Sequence, residues 1–309
     1  KKKPVNKEMK IMVVDEFLEQ GKPKNIVLKH VGLSRSSYYY TSTGTKAGKK
    51  ASRVVYDIDD NRHDLDYVLQ EVKTLLEGEF VDYGYYKTYR YLNQEKGLKI
   101  GAYRTYNLMK EHNLLKFQRN KTKRTSRNWV KELVPNVQSE FSFLEFDIKY
   151  VYVQGTHSNA QVLTILDVYS RWQLAQYIAN SIKSEDVINL FEQVFQTYPM
   201  PKQFIVRNDN GSQFEATIVQ EYLRKKGVNQ EFTKPATPEQ NAHIEAYHSI
   251  MESAVCQRFE FENLEDFKQI MTRWKKFYNF ERIHGGLGYK SPKKFLESIG
   301  VKIDPKWVM

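Results

Sequence analysis

The sequence predicts an α/β protein in which helical, helix-turn-helix-like units precede a mixed five-stranded sheet with helices on its faces. Residues 7 to 115 show helical periodicity interrupted by glycines, whereas from residue 141 β-rich runs take over and then alternate with helices. The charge is divided as well: residues 1 to 140 contain 28 Lys and Arg against 17 Asp and Glu, and residues 141 to 309 contain 20 of each. The net charge of +11 therefore belongs to the first part. This favours a polyanionic partner, most often nucleic acid, over a basic surface that serves solubility alone.

The composition also excludes several classes of protein. No run approaches the roughly 20 apolar residues of a membrane-spanning helix, and no apolar stretch of the signal-peptide kind follows the first residues, KKKPVNKEMK. The single cysteine, Cys256, excludes a disulfide framework and a multi-cysteine zinc site. We therefore expect a cytoplasmic protein without a membrane partner.

Residues 1–45 are predicted to form an N-terminal helix-turn-helix unit of three short helices. Two helical runs end at glycines, and Ser34 is a suitable N-cap for the third helix. In a recognition helix that begins there, Arg35 and Ser36 would reach base edges and phosphates. The alternative is an ordinary three-helix unit in which the tyrosines of SYYY are partly buried.

Residues 54–115 are predicted to form a second helical, helix-turn-helix-like unit that binds DNA. Its helices are expected in NRHDLDYVLQEVKTLLEGE, YGYYKTYRYLNQEKG and AYRTYNLMKEHNLL. The last two carry cations between tyrosines, which suits a phosphate-lined groove, although the tyrosines could equally form a core. Residues 116–138 follow as a basic linker, which is either a solvated connection or a segment that lies along a DNA backbone.

Residues 139–258 are predicted to form the sheet domain, and residues 259–309 a C-terminal helical extension. Three strands are expected in FSFLEFDIKYVYV, AQVLTILDVYS and WQLAQYIAN, joined as an antiparallel meander. A helix, a strand, a second helix, a fifth strand and a further helix follow along the chain. The order βββαβαβ followed by a helix is that of the ribonuclease H-like fold.

Three acidic residues occupy special places on this predicted scaffold. Asp147 lies inside the apolar first strand, where a charge is costly unless it is paired or bound to a cation. Asp209 follows the fourth strand in a glycine-containing loop, and Glu245 lies on the helix after the fifth strand. Singly, each acid has an ordinary explanation as a strand-edge, turn or first-turn helix residue. Together they can form a carboxylate cluster of the kind that binds hard divalent cations.

The acids are separated by 61 and 35 residues, and with this spacing the sequence resembles a known group. It is similar to the DDE transposases of the retroviral-integrase superfamily, and within them to the second-frame protein of the insertion-sequence family numbered three. The resemblance covers most of the chain. The motifs that carry it are HVGLSRSSYYY, YGYYKTYRYLNQEKGLKIGAYRTYNLMKEHNLL, FDIKYV, LDVYSR, NDNGSQF, NAHIEAYHS and YNFERIHGGLGYKSPKKF.

The resemblance implies a DNA transposase with an integrase catalytic core at 139–258. Asp147, Asp209 and Glu245 would be catalytic and would bind two Mg²⁺ ions, for which Mn²⁺ can substitute. The implied partners are double-stranded DNA, as terminal inverted repeats and target, and further copies of the chain in a dimeric or larger synaptic complex. The implied location is the bacterial cytoplasm, at the nucleoid. The residues expected to contact DNA are Arg35, Ser36, Lys87, Arg90, Arg104, Lys121, Lys123, Arg124 and Arg127.

One position departs from the family pattern. Seven residues after the glutamate the family commonly has Lys or Arg, whereas this chain has Glu252. A DNA-binding role cannot be transferred to that position, and Arg258 or Lys234 are the candidate substitutes. Two other readings of the chain stay open: a ribonuclease H-like nuclease or resolvase, and a catalytically inactive DNA-binding regulator.

Overall fold

The computed structural model describes residues 6–41, 52–116, 135–234 and 238–308. By their contacts the residues fall into two units, Lys1–Ser52 and Arg53–Met309. In the described part of the chain, no helix combines the length and apolar character needed to cross a membrane.

The first unit contains the three predicted helices. They are α1 (Lys7–Glu19), α2 (Lys24–Val31) and α3 (Arg35–Tyr39), which pack through one small apolar cluster. Gly32 ends α2 with a φ of +63°, a left-handed conformation that glycine adopts without steric cost. Ser34 caps α3 by accepting the N–H of Ser37 at 3.1 Å, so the predicted N-cap is confirmed.

The second unit begins with a small hairpin and three helices. They are β1 (Val54–Tyr56), β2 (Arg62–Asp64), α4 (Leu65–Leu76), α5 (Tyr85–Gln94) and α6 (Ala102–Glu111). The three predicted helices are confirmed, but the first begins four residues later than expected.

The shift arises because the residues before α4 pair with β1 as an antiparallel strand. Asp64 then caps α4 by accepting the N–H of Tyr67 at 2.8 Å. The predicted linker at 116–138 lies largely outside the described residues.

Five strands form the central sheet. They are β3 (Phe143–Val153), β4 (Ser158–Asp167), β5 (Gln173–Ala179), β6 (Phe204–Asn208) and β7 (Val228–Phe232). Their order is β5-β4-β3-β6-β7; β4 pairs antiparallel with both β3 and β5, and β6 and β7 are parallel to β3. The predicted meander and the ribonuclease H-like fold are confirmed.

Helices cover both faces of this sheet. On one face lie α7 (Ser184–Thr197), α8 (Ser212–Glu215) and α9 (Thr217–Lys225). On the other face lie α10 (Ala242–Met251) and α11 (Leu264–Phe280). Because alternate residues of a strand point to opposite faces, odd-numbered residues of β3 face α10.

The C-terminal extension and the second helical unit both pack against this core. The short α12 (Pro292–Ser298) adds Leu296 to the apolar cluster under α7. Phe80, from the turn after α4, packs edge-on against Trp274 of α11, with ring centroids 5.6 Å apart. The guanidinium of Arg282, which is almost fully buried, pairs with the carboxylate of Asp82. The second helical unit therefore has an apolar cluster of its own and joins the core of the sheet domain through Phe80 and the Arg282–Asp82 ion pair.

Candidate active site

Strand pairing brings the two predicted aspartates to neighbouring strands. β3 and β6 are parallel, with Leu144 opposite Val206 and Glu145 opposite Arg207. Continued by two residues, this register sets Asp147 beside the residue that directly follows β6. That residue is Asp209, so the predicted juxtaposition follows from the register of the sheet.

Asp209 lies in a tight loop between β6 and α8. Its Oδ1 accepts the N–H of Gly211 at 3.0 Å. A Cβ at position 211 would lie 2.8 Å from Nε2 of Gln213 and 3.1 Å from Oδ1 of Asp209, so a side chain would not fit there without displacement. Asp147 is held in the same way, because its Oδ1 accepts the N–H of Ile148 at 2.8 Å. In each aspartate one oxygen is thus fixed by a backbone donor.

Glu245 lies in the first turn of α10, exposed to solvent. Helix α10 contacts β3 through several residues, and His248 Nδ1 lies 3.5 Å from Oδ2 of Asp147. Tyr247 is buried and accepts a hydrogen bond from the indole N–H of Trp274 at 3.0 Å. The helix is therefore fixed to the core by Tyr247, and Glu245, one turn before His248, is exposed to solvent.

The three carboxylates interact electrostatically. Burial, together with the charges of Asp209 and Glu245, raises the pKa of Asp147 from 3.8 to about 7, although the N–H of Ile148 and the charge of Lys149 oppose the shift. His248 does not balance this charge, because burial and Lys149 lower its pKa to about 3 and leave the ring neutral. Asp147 is thus a half-buried carboxylate that faces two like charges.

These properties fit a hard divalent cation. Oxygen atoms of carboxylates are the ligands that such ions prefer, and a bound cation would remove the repulsion that raises the pKa of Asp147. Within the ranges that the structure describes, no group of three His, Cys, Asp or Glu side chains lies in an arrangement that could hold a metal ion.

Glu252, the residue that departs from the family pattern, has a structural partner. Its carboxylate forms an ion pair with the ammonium group of Lys149 on β3, with an N–O distance of 3.0 Å. Of the two candidate substitutes, Arg258 donates to the carbonyl of Val81 at 3.0 Å, and Lys234 is exposed beside the segment before α10.

The predicted DNA-contact residues differ in how available they are. Arg35 and Ser36 are exposed in the first turn of α3. Arg104 donates to the carbonyl of Val54 at 3.0 Å and is partly buried. Lys121, Lys123, Arg124 and Arg127 lie outside the described residues.

Lys87 and Arg90 are partly buried between α5 and the C-terminal segment. Burial and the nearby charges of Arg282 and Lys116 lower the pKa of Lys87 to about 8, although Asp82 opposes this shift. The guanidinium of Arg90 stacks 4.8 Å from the ring centroid of Tyr289. Both cations therefore contact the protein itself in this structure.

The sequence did not single out Glu145 or the exposed face of α6 as a unit, although the cations and tyrosines of α6 were expected near DNA. Glu145 is completely buried two residues before Asp147, on the same face of β3; the visible signal was a second acid inside an apolar strand. On α6, Tyr103 is 78% exposed, and Asn107 and Lys110 are exposed on the same side. Their spacing of four and three residues, which places them on one helical face, was the signal for this group.

Three domain families match the chain. Residues 138–238 match the integrase core domain, and residues 226–292 match a second integrase core domain family. The first match contains Asp147 and Asp209, and the second contains Glu245. Residues 64–122 match an HTH-like domain.

Solved integrases align with the chain at low similarity. A chain of the simian T-cell lymphotropic virus intasome aligns with a TM-score of 0.44 and 13% identity, over 76% of this chain and 77% of that one. The HTLV-2 integrase catalytic core domain, solved with magnesium, aligns with a TM-score of 0.38 and 12% identity, over 50% of this chain and 96% of that one.

Proteins of bacterial insertion elements are similar over longer stretches. A 39.2 kDa protein of element IS476 from Xanthomonas euvesicatoria is 24% identical over 85% of this chain and 69% of its own length. The InsK protein of element IS150 from Escherichia coli is 23% identical over 88% of this chain and 93% of its own length. The transposase of element IS904 from Lactococcus lactis is 27% identical over 47% of this chain and 57% of its own length.

The two integrase core matches span the five-stranded sheet and the three acids, and the HTH-like match spans α4 to α6. The IS476 and IS150 proteins align over most of the chain. The chain belongs to the insertion-sequence transposases of the retroviral-integrase superfamily, which are DDE-type polynucleotidyl transferases.

Proposed function

We propose that this transposase binds the terminal inverted repeats of its own element, cleaves one strand at each end and joins the freed 3′-hydroxyl to target DNA. The observation that carries the proposal is that the β3–β6 register sets Asp209 beside Asp147 while Glu245 lies on α10, the helix that packs on β3. Attack in line at phosphorus needs no covalent protein intermediate, and no nucleophilic side chain is required beside these acids.

The three acids are proposed to hold two Mg²⁺ ions, with Mn²⁺ as a substitute. Bound there, such ions would activate the attacking water or 3′-hydroxyl and stabilise the leaving oxygen. The chain's own contribution is orientation. Because Asp147 and Asp209 each use Oδ1 to accept a backbone N–H, their Oδ2 atoms are proposed as the ligands that the ions would take first. The loop after Asp209, residues 210–213, is proposed to lie near the scissile phosphate.

DNA recognition is proposed for the exposed face of α6. Tyr103, Asn107 and Lys110 have no hydrogen-bond or ion-pair partner among the described residues, so their polar groups are available to bases and phosphates. Arg104 is a less suitable reader, because it already donates to the carbonyl of Val54.

Further contacts are proposed for Arg35 and Ser36 on α3, and for the basic linker. Arg35 and Ser36 are exposed in the first turn of their helix, where a recognition helix contacts bases. The cations of the linker suit phosphate contacts, which position a protein on DNA without reading its sequence.

Two DNA ends and a target must be held together for joining, so we also propose a homo-oligomer of two or more chains on DNA. Its place of action would be the bacterial cytoplasm, at the nucleoid, and its family the insertion-sequence family numbered three. Light scattering with and without end DNA measures the assembly, and one chain per DNA end without pairing of the ends would contradict it.

The amide variants Asp147→Asn, Asp209→Asn and Glu245→Gln test the catalytic assignment. Each should abolish cleavage and strand transfer with Mg²⁺ while affinity for end-containing duplex is retained. Asp186→Asn is the matched control, because that carboxylate caps α7 by accepting the N–H of Lys183 at 2.8 Å. Full activity of any of the three variants would refute the assignment.

The products of the reaction discriminate the remaining alternatives. A nuclease or resolvase of the same fold would cleave without joining a 3′-end to a new strand. An inactive regulator would bind the ends and leave the DNA intact. Detection of a joined product that depends on all three acids excludes both.

A further inference from the structure

The buried acid Glu145 binds the start of the helix that carries Glu245. Its Oε2 accepts the N–H groups of His243 at 2.9 Å and Ile244 at 2.7 Å, and its Oε1 lies 2.9 Å from Nδ1 of His243. The side chain of Glu145 is completely buried. A carboxylate at this place satisfies N–H groups that have no partner inside the helix, and it suits the positive end of the helix dipole.

Helix α10 has no cap of its own. The residue before it, Asn241, makes no side-chain capping hydrogen bond, and its Oδ1 is buried without a partner among the described residues. The first turn of α10 is therefore capped by a residue from β3, nearly 100 positions earlier in the chain. The cap thus ties the helix to the strand that carries Asp147.

The neighbour of Glu145 across the sheet holds the segment just before the helix. Arg207 is paired with Glu145 in the β3–β6 register, and its Nη1 donates to the carbonyl of Gln240 at 2.9 Å. Its Nε and Nη2 donate to Oε2 of Glu231 on β7, at 3.1 and 2.8 Å, which fixes the guanidinium. Two adjacent side chains of opposite charge thus bind the start of α10. Glu145 accepts its N–H groups, and Arg207 donates to the carbonyl of the preceding Gln240.

We propose that Glu145 and Arg207 are positioning residues that set α10 on the sheet so that Glu245 reaches Asp147 and Asp209. Glu145 contacts Ile244, which directly precedes Glu245, and Arg207 contacts Gln240, five residues before Glu245. Neither belongs to the three acids. The inference rests on the proposed function, because it assigns a purpose to the placement of Glu245.

The chemistry of the pair supports this purpose. Burying a carboxylate is costly, and an apolar residue could fill the same space. The hydrogen bonds that Glu145 makes to the start of α10 must therefore offset the cost of burying it. Glu245 directly follows Ile244, whose N–H is bound to Glu145. A displacement of the first turn would therefore pass directly to Glu245, and a shift of about 1 Å can lower a reaction rate by about 100-fold.

The test uses the full chain and the variants Glu145→Gln and Arg207→Lys. Glu145→Gln keeps the shape and one acceptor but loses the charge and the second acceptor, and Arg207→Lys loses the planar set of donors. Asp167→Asn is the matched control: Asp167 is also completely buried and accepts backbone N–H groups, but from Phe141 and Ser170. Glu245→Gln reports on the proposed function itself.

Three quantities are measured for each variant: Mn²⁺ binding by electron paramagnetic resonance, amide hydrogen exchange at residues 242–245, and strand transfer over a range of Mn²⁺ concentration. For Glu145→Gln we expect about tenfold weaker Mn²⁺ binding, faster exchange at 242–245, and strand transfer about 100-fold slower at low Mn²⁺. High Mn²⁺ should restore part of that activity, because the ligands are displaced and not removed. Arg207→Lys should change all three in the same direction, and it carries the test if Glu145→Gln does not fold.

The outcomes separate the two proposals. If the Glu145 and Arg207 variants change Mn²⁺ binding and exchange at 242–245 no more than Asp167→Asn does, the positioning proposal is overturned. In that case the loss of Mn²⁺ binding and activity in Glu245→Gln leaves the proposed function standing. If Glu245→Gln binds Mn²⁺ and transfers strands like the unaltered chain, the proposed function fails, and the positioning proposal fails with it.

Discussion

Binding of a divalent cation to this transposase is expected to depend on pH through Asp147. Burial and the charges of Asp209 and Glu245 raise the pKa of this carboxyl group to about 7. A cation binds the ionised form, so it must compete with a proton below that pH. Lowering the pH from 8 to 6 should therefore weaken binding, whereas an aspartate with the ordinary pKa of 3.8 would be ionised at both.

The size of the effect follows from the pKa. With a pKa of about 7, roughly nine-tenths of the Asp147 side chains are ionised at pH 8 and roughly one-tenth at pH 6. The apparent affinity for Mg²⁺ should thus fall about tenfold over this interval. Titration calorimetry of the metal-free chain at pH 8, 7 and 6 measures it, with Asp167→Asn as a control that removes a buried carboxylate elsewhere. An affinity that stays constant between pH 6 and 8 would refute the reasoning.

The same carboxyl group should also make the free energy of unfolding depend on pH. Raising the pH strengthens cation binding but should destabilise the metal-free fold. Its pKa is raised in the folded state, so the metal-free fold binds the proton more tightly than the unfolded chain does. The free energy of unfolding therefore falls as the pH rises from about 4 to about 7. Asp147→Asn mimics the neutral form, and at pH 8 without metal it should be more stable than the unaltered chain by on the order of 4 kcal/mol. Equal stability of the two proteins in urea at pH 8 would contradict this.

Three further predictions concern other parts of the chain. Asn107→Ala should weaken binding to the element's own ends more than binding to random duplex, by about 1 to 3 kcal/mol. Arg104→Ala should mainly lower the melting temperature, because Arg104 donates to the carbonyl of Val54. The reverse pattern in a titration with the two duplexes would show that Arg104, and not Asn107, contacts the bases. Gly155→Ala would place a Cβ 2.0 Å from the carbonyl oxygen of Glu262 and should cost about 1 to 3 kcal/mol in denaturant unfolding, whereas Gly286→Ala, with open space around it, should be tolerated. Burial and the charge of Glu252 raise the pKa of the Cys256 thiol to about 12, so at pH 8 it should react with iodoacetamide far more slowly than a free cysteine until urea exposes it; equal rates would contradict the burial.

Much of the fold could be predicted because the decisive signals are local. Alternating and continuous apolar runs indicate the strands of the sheet, and glycine and serine signals indicate the ends of α2 and α3. The hairpin before α4 was missed. Its strands have three residues each, too few for a period-two pattern to appear, and they exist only because they pair with each other.

In the candidate site too, features with a local signal could be predicted and features that depend on distant contacts could not. Asp147 and Asp209 were predictable together, since a charge inside an apolar strand and an acid at a strand end are both visible in the sequence. The cap that Glu145 provides was not, because it joins residues almost 100 positions apart. Likewise, Arg104 was expected to read DNA from its helical position, and only the fold brings it to the carbonyl of Val54.

The sequence by itself determined the order of the strands and helices in the sheet domain, the basic character of residues 1–140 and the choice of the three candidate acids, because these depend on residue type and spacing along the chain. The tertiary structure alone decided which cations contact other parts of the protein and which remain exposed and available to bind DNA. Lys87 and Arg90 are cations in a basic segment, yet they contact the C-terminal part of the chain, while Lys110 stays exposed. The physical reason is that burial and pairing depend on distances between segments far apart in the chain, and those distances exist only after the second helical unit has packed on the sheet domain.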